Sequence, residues 1–206
     1  MMYLLNSSNQ ITLGKGFPGI LAVLLVASVS CRSDHIPRIL IETDLGAVTL
    51  EIYPEKAPVT ANNFLQLVEQ GVYSNAMFYR VVRPDNQPAN PVKIEVIQGG
   101  LLEDSLIDRF NTIPHEITSE TGIRHEDGVI SMARNGPGTA STEFFICIGD
   151  QPSLDYGGNR NPDGQGFAAF GRVTSGMDVV RAIQQLPDSA QMLLEPVRIR
   201  QIKIVH

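Results

Sequence analysis

Two hydrophobic periods alternate along this chain. Val48, Leu50 and Ile52 alternate with Thr49 and Glu51, and the segments Ile39–Thr43 and Ala47–Tyr53 flank Asp44-Leu45-Gly46. Period-two patterning on either side of a turn predicts a β-hairpin. At Thr60 the period lengthens: Ala61, Phe64, Leu65 and Val68 recur at i, i+3, i+4 and i+7, with Pro58 before them and Gly71 after. That is an amphipathic helix with its start and stop signals. Short strands are predicted at residues 77–83, 94–98, 128–133, 143–148 and 167–173, separated by loops rich in Pro, Gly, Asn and Asp. A second helix carries Val179, Ala182, Ile183 and Leu186 on one stripe and stops at Pro187. In the last strand Val197 and Ile199 are odd-numbered while Ile202 and Ile204 are even, which predicts a bulge near Gln201.

Seven or eight strands with only two helices predict a mainly β fold, a closed antiparallel barrel whose open ends the helices cover. Strands and helices do not alternate along the chain, which disfavours a doubly wound α/β sheet. No repeat, heptad run or low-complexity block interrupts residues 36–206, so this region reads as one domain.

The N-terminus has a different pattern. Phe17–Val29 is thirteen residues without a charge, preceded by Lys15 and followed by small residues up to Cys31. It has the length of a signal-peptide apolar region and is too short for a spanning helix, which needs roughly twenty apolar residues. Ser28-Val29-Ser30-Cys31 resembles the bacterial lipobox, in which the Cys is acylated before cleavage, although Leu is usual three positions before the Cys. The expected organisation is a lipoprotein-type signal peptide at 1–30, a short linker at 31–37 and a folded domain at 38–206. Acylated Cys31 would hold the domain at a membrane, each buried CH₂ contributing about 0.8 kcal/mol. The alternative is an incidental thiol beside an ordinary secretion signal. Arg32 is not the Asp associated with inner-membrane retention in some bacteria, which favours the outer membrane.

Composition narrows the function. A formal charge of −6 argues against coating nucleic acid, so no nucleic-acid partner is expected. Removing residues 1–30 takes one Lys and no acid, which makes the remaining chain one unit more acidic. Two cysteines, Cys31 and Cys147, are too few for a disulfide scaffold and match no zinc spacing. Cys147 sits in the apolar run FFICIG and reads as an inert buried thiol. His115-Glu116 and His125-Glu126 lack the helical spacing of a metal motif and read as loop surface, and Asn159–Gln165 reads as a solvated turn rather than a calcium loop. No metal site is expected.

Five ordered blocks carry a family resemblance: residues 43–64 (TDLGAVTLEIYPEKAPVTANNF), 78–82 (FYRVV), 96–100 (VIQGG), 128–146 (GVISMARNGP running on to STEFFI) and 167–180 (FAAFGRVTSGMDVV). In this order and spacing they resemble a cyclophilin-type peptidyl-prolyl cis-trans isomerase, over nearly the whole region after Cys31. The resemblance implies an eight-stranded antiparallel barrel capped by two helices, proline-containing segments of unfolded or folding proteins as substrates, and a monomer. With the leader it implies a bacterial envelope protein facing the periplasm.

The chemistry of that reaction is simple. Resonance holds the X-Pro amide planar behind a barrier of about 18–20 kcal/mol. Rotation passes through a twisted amide whose nitrogen has regained a basic lone pair, so a fixed cationic donor aimed at that nitrogen favours the transition state. No nucleophile, metal or cofactor is needed. By resemblance Arg80 is that catalytic donor and Gln98 hydrogen-bonds the substrate backbone. Val96, Met132, Ala133, Arg134, Phe145, Leu154 and Phe167 match positions that line the proline pocket and adjoining groove, and Phe144 is the core member of the Phe pair.

The chain also departs from the family pattern. Glu95 and Val96 stand where Phe and Met are expected, which implies a shallower or rebuilt pocket. Arg134 replaces Asn, Glu143 replaces Gln, Phe167 replaces His, and Ser153 replaces the Trp before Leu154, implying weak cyclosporin binding. Residues 84–93 and 156–165 look longer than in compact members and are expected to rim the groove. A non-catalytic peptide-binding or chaperone module using the same groove is the second reading. Arg80, Gln98 and Phe145 together favour the enzyme, while Glu95 and the lost Trp favour the module.

Overall fold

The computed structural model describes residues 36–205. The leader expected at 1–30, the expected attachment residue Cys31 and most of the expected linker at 31–37 lie outside them. The described residues contain nine strands: β1 (Arg38–Thr43), β2 (Gly46–Ile52), β3 (Met77–Val82), β4 (Val96–Gly100), β5 (Val129–Met132), β6 (Phe144–Cys147), β7 (Ala168–Ser175), β8 (Asp188–Ser189) and β9 (Met192–Val205). All pairings are antiparallel, in the order β1-β2-β7-β5-β6-β4-β3-β9, and β1 pairs back onto β9 to close an eight-stranded barrel. β8 is a two-residue strand folded onto the start of β9. Closure removes the free edges that an open sheet would expose.

Among the described residues four α-helices accompany the barrel: α1 (Pro58–Glu69), α2 (Asp104–Ile107), α3 (Thr118–Thr121) and α4 (Met177–Gln184), of which α2 and α3 are single turns. No side chain within α1 caps its N-terminus. Glu116 does so from a distant loop, accepting the Val59 and Thr60 N–H groups at 3.1 and 2.7 Å. Phe64 of α1 meets Phe144 and Phe170 inside the barrel at ring-centroid distances of 5.5 and 5.0 Å.

The predicted bulge in the last strand is present: Glu42 pairs with Gln201 but Thr43 with Ile199. The stripe predicted for α4 is rotated. Val180, Ile183 and Gln184 are buried, whereas Ala182 is exposed and Val179 only half-buried. A polar residue takes the inward position because its amide has partners there: Gln184 Nε2 donates to the Val82 carbonyl at 3.2 Å and to Glu95 Oε2 at 3.3 Å.

A second bulge prepares the functional face. Phe78 pairs with Gly99 but Arg80 with Gln98, so Tyr79 is the extra residue in β3. Strict alternation would send Tyr79 and Arg80 to opposite faces, and the bulge lets both reach Gln98. Phe78 and Val81 stay in the main core, while Val82 joins a smaller apolar cluster with Val96, Phe145 and Leu154.

Candidate active site

A cleft of about 710 Å³ runs along the face carrying β3, β4 and β6. It gathers Arg80, Gln98, Val96, Ala133, Arg134, Phe145, Leu154 and Phe167, eight of the nine predicted site residues in the described region. Met132 is the exception. It is fully buried in the main core beside Ile130 and Phe144, because its strand β5 is covered on both sides and this position turns inward.

Arg80 is held by two neutral amides. Its Nη1 donates to Gln98 Oε1 at 2.8 Å, and its Nη2 and Nε donate to Gln191 Oε1 at 2.6 and 3.1 Å. A guanidinium has five N–H groups, so one hydrogen on each Nη is left for a ligand. Burial lowers the Arg80 pKa, but from a starting value so high that the group stays cationic at neutral pH.

Gln98 is oriented by the same network. Its Oε1 faces Arg80 while its Nε2 donates to the Tyr79 hydroxyl at 2.7 Å, leaving one amide hydrogen free. The Tyr79 hydroxyl donates onward to Glu143 Oε2 at 2.6 Å. Glu143 is also anchored: its Oε1 accepts the Leu101 N–H at 2.7 Å and the Thr142 hydroxyl at 3.2 Å. Burial first, and then the Glu143 charge, push the Tyr79 hydroxyl far above its ordinary pKa, so it remains a proton donor. Gly100 makes room for this carboxylate. Its φ of +146° suits glycine, and a Cβ there would collide with Glu143.

The apolar half of the cleft is a stack. His125 lies nearly parallel to Phe145 with centroids 6.0 Å apart, Phe167 meets Phe145 edge-on at 5.2 Å, and the Arg134 guanidinium sits 5.0 Å over Phe167. Arg134 is fixed in turn by Asp163 at 2.8 and 2.9 Å and by the Gly166 carbonyl. The Arg134 hydrogen bonds hold the Asp163 carboxyl down to about 2.

The reading of His125 as loop surface is corrected: it is 1% exposed. Asp155 Oδ1 lies 2.7 Å from its Nδ1 and Ser131 Oγ lies 3.0 Å from its Nε2, so paired polar atoms allow burial. Burial raises the Asp155 carboxyl, but the hydrogen bonds from His125 outweigh it and the net pKa is lowered. Buried beneath Phe145, this trio supports the aromatic floor. His115 is also only part-exposed, with its Nε2 3.1 Å from the Gln165 carbonyl.

Glu95 stands outside the cleft lining, with its carboxylate toward Gln184 of α4, so this departure does not fill the pocket. Cys147 is buried, and burial pushes its thiol up, in keeping with an inert group. Gln191 had no sequence signal. It occupies the β8–β9 turn at φ +74°, next to Ala190 at +49°, a conformation that side-chain-bearing residues rarely adopt. Its N–H donates to Asp188 Oδ2 at 2.9 Å, its Nε2 donates to the Asn86 carbonyl at 3.1 Å, and Asp188 is itself ion-paired with Arg83.

Residues 38–204 match the family model for cyclophilin type peptidyl-prolyl cis-trans isomerase/CLD. The chain is 32% identical to the Streptomyces antibioticus peptidyl-prolyl cis-trans isomerase cyp18, over 80% of this chain and 96% of that protein. It is 31% identical to the Escherichia coli peptidyl-prolyl cis-trans isomerase B, over 69% of this chain and 80% of that protein. A Cryptosporidium parvum cyclophilin shares the fold, with a TM-score of 0.64 at 22% identity, over 84% of this chain and 99% of that one. The chain therefore belongs to the cyclophilin-type peptidyl-prolyl cis-trans isomerase family.

Proposed function

We propose that this isomerase acts on X-Pro bonds of unfolded or folding proteins in a bacterial cell envelope, as a monomer lipid-anchored through Cys31 and facing the periplasm. The observation that carries the catalytic part is the arrangement of Arg80. A cation held rigidly by Gln98 and Gln191 keeps one free hydrogen on each Nη beside an apolar pocket. Proline seats against Phe145, Val96 and Leu154, with Ala133, Phe167 and Arg134 forming the adjoining wall. The free Gln98 amide hydrogen holds a substrate carbonyl. Arg80 then donates to the proline nitrogen as the amide twists, where the returning lone pair strengthens the bond. The Tyr79–Glu143 chain acts through Gln98, keeping its oxygen turned to Arg80.

This assignment rests on electrostatic preorganisation by the chain's own residues. It is tested by measuring cis-trans exchange of a prolyl peptide by NMR: acceleration above the spontaneous rate supports it, and peptide binding without acceleration favours the non-catalytic module. The envelope assignment is supported by the charge-free run before Cys31 and by the small residues leading to it. Metabolic labelling with a fatty acid tests the anchor. Label on the wild-type chain that disappears in Cys31→Ala supports it, and an unlabelled wild type refutes it.

A further inference from the structure

Three arginines line the cleft, and they are not electrically equivalent. Arg134 is neutralised by Asp163, whereas Arg80 and Arg160 are held only by neutral acceptors among the described residues. Arg160 belongs to the 156–165 insert. Its Nη1 donates to Gln87 Oε1 at 2.8 Å and to the Val92 carbonyl at 2.6 Å, so it clasps the 84–93 insert. Its backbone N–H donates to the Ser153 carbonyl at 3.1 Å, beside Leu154. These anchors put Arg160 at the proline end of the cleft, with Nε and Nη2 lacking any acceptor among the described residues. Burial and the charge of Arg80 both lower the Arg160 pKa, so the two guanidiniums repel each other in one cleft of an acidic protein. The cleft's carboxylates do not relieve this: Asp104 and Asp108 pair with neither arginine, and Glu143 reaches Arg80 only through Tyr79 and Gln98.

Two unpaired guanidiniums facing one cavity form a site for an anion, and Arg presents parallel donors suited to a carboxylate. We propose that Arg160 is a specificity-determining residue that, with Arg80, receives a carboxylate beside the substrate proline. The carboxylate is either an acidic side chain adjoining the proline or the free carboxylate of a chain-terminal proline. This rests on the isomerase reading of the groove and adds a substrate class to it.

The test uses the full chain and end-blocked peptides with Ala, Asp or Lys after a central proline, plus a peptide ending in proline as acid or as amide. Dissociation constants and NMR exchange rates are measured on the same samples. A charge-assisted pair at this site is expected to make binding about tenfold tighter for the carboxylate-bearing member of the relevant arm. An Asp-over-Ala preference identifies the side-chain source, and an acid-over-amide preference the terminal source. Arg160→Gln should abolish the preference and Arg160→Lys should keep part of it. Lys93→Gln should keep it, since Lys93 carries the same charge on the insert but does not line the cleft. Isomerisation with no preference in either arm, or a preference that survives Arg160→Gln, overturns the proposal. Binding with the preference but without isomerisation overturns the catalytic reading instead.

Discussion

The protein has two apolar clusters built from the same strands. The larger one fills the barrel, where Phe64, Tyr73, Phe144 and Phe170 meet with centroids 5.0–5.7 Å apart. The smaller one, Val82, Ile94, Val96, Phe145, Cys147 and Leu154, lies outside the barrel wall and floors the cleft. Adjacent residues serve opposite masters: Phe144 belongs to the first cluster and Phe145 to the second, as do Ile97 and Val96. Inside, apolar contact dominates, and the one hydroxyl among these rings, that of Tyr73, donates to the Thr142 carbonyl at 2.8 Å. Outside, the apolar floor is bordered by Arg80, Gln98 and Arg134, whose hydrogen bonds fix where charge can meet a ligand. Packing specifies the fold on one face of the wall, and polar positioning specifies chemistry on the other.

Separating the two clusters by mutation gives the largest expected effect. Phe144→Ala should cost about 3–5 kcal/mol of unfolding free energy, as for other buried aromatic truncations. Phe145→Ala should cost less, about 2 kcal/mol, but should weaken prolyl-peptide binding by more than about tenfold. Urea unfolding and peptide titration of both variants check this, and equal stability losses would erase the distinction.

Gln191 sharpens the contrast because its conformation favours another residue. Gln191→Gly should relieve about 1 kcal/mol of left-handed strain while lowering kcat about tenfold through the lost acceptor for Arg80. KM should change little, and Gln191→Asn should not restore kcat if its shorter amide falls short of the guanidinium. A glycine variant that is more stable and fully active would remove Gln191 from the account.

Acid gives the smallest effect. Asp155 and Asp163 both have lowered carboxyl pKa values, so each stabilises the fold fully above the usual value near 3.8 and loses that contribution as pH falls through its own lower pKa. For Asp163 the loss runs from the usual value near 3.8 down to about pH 2. Urea unfolding between pH 5 and 2 should show declining stability, and Asp163→Asn should flatten its lowest part.

Much of the scaffold was legible because strand and helix periods report burial directly. The β1–β2 hairpin, α1 and a bulge near Gln201 follow from the positions of Val48, Phe64 and Ile202. Arg80, Gln98 and Phe145 were legible because each lies in a contiguous block that resembles the family. What was hidden depends on segments meeting across the fold. Gln191 reaches Arg80 from 111 positions away, in a turn with no motif of its own. His125 sits beside charged neighbours that suggest surface, while its carboxylate partner Asp155 lies 30 positions away. Met132 shares a block with Ala133, but alternation sends only Ala133 to the cleft. The α4 stripe was misplaced because a hydropathy pattern does not anticipate an inward Gln184 that finds its own acceptors.

The central claim is that Arg80, poised by neutral amides on the outer face of the barrel wall, accelerates rotation of the prolyl amide. NMR exchange rates of one prolyl peptide with wild type, Arg80→Ala and Arg80→Lys test it most directly. The account predicts a loss of about a hundredfold or more in kcat/KM for Arg80→Ala, partial activity at best for Arg80→Lys, and little change in unfolding free energy for either. Wild-type acceleration that survives in Arg80→Ala, or a loss explained by unfolding, would contradict it.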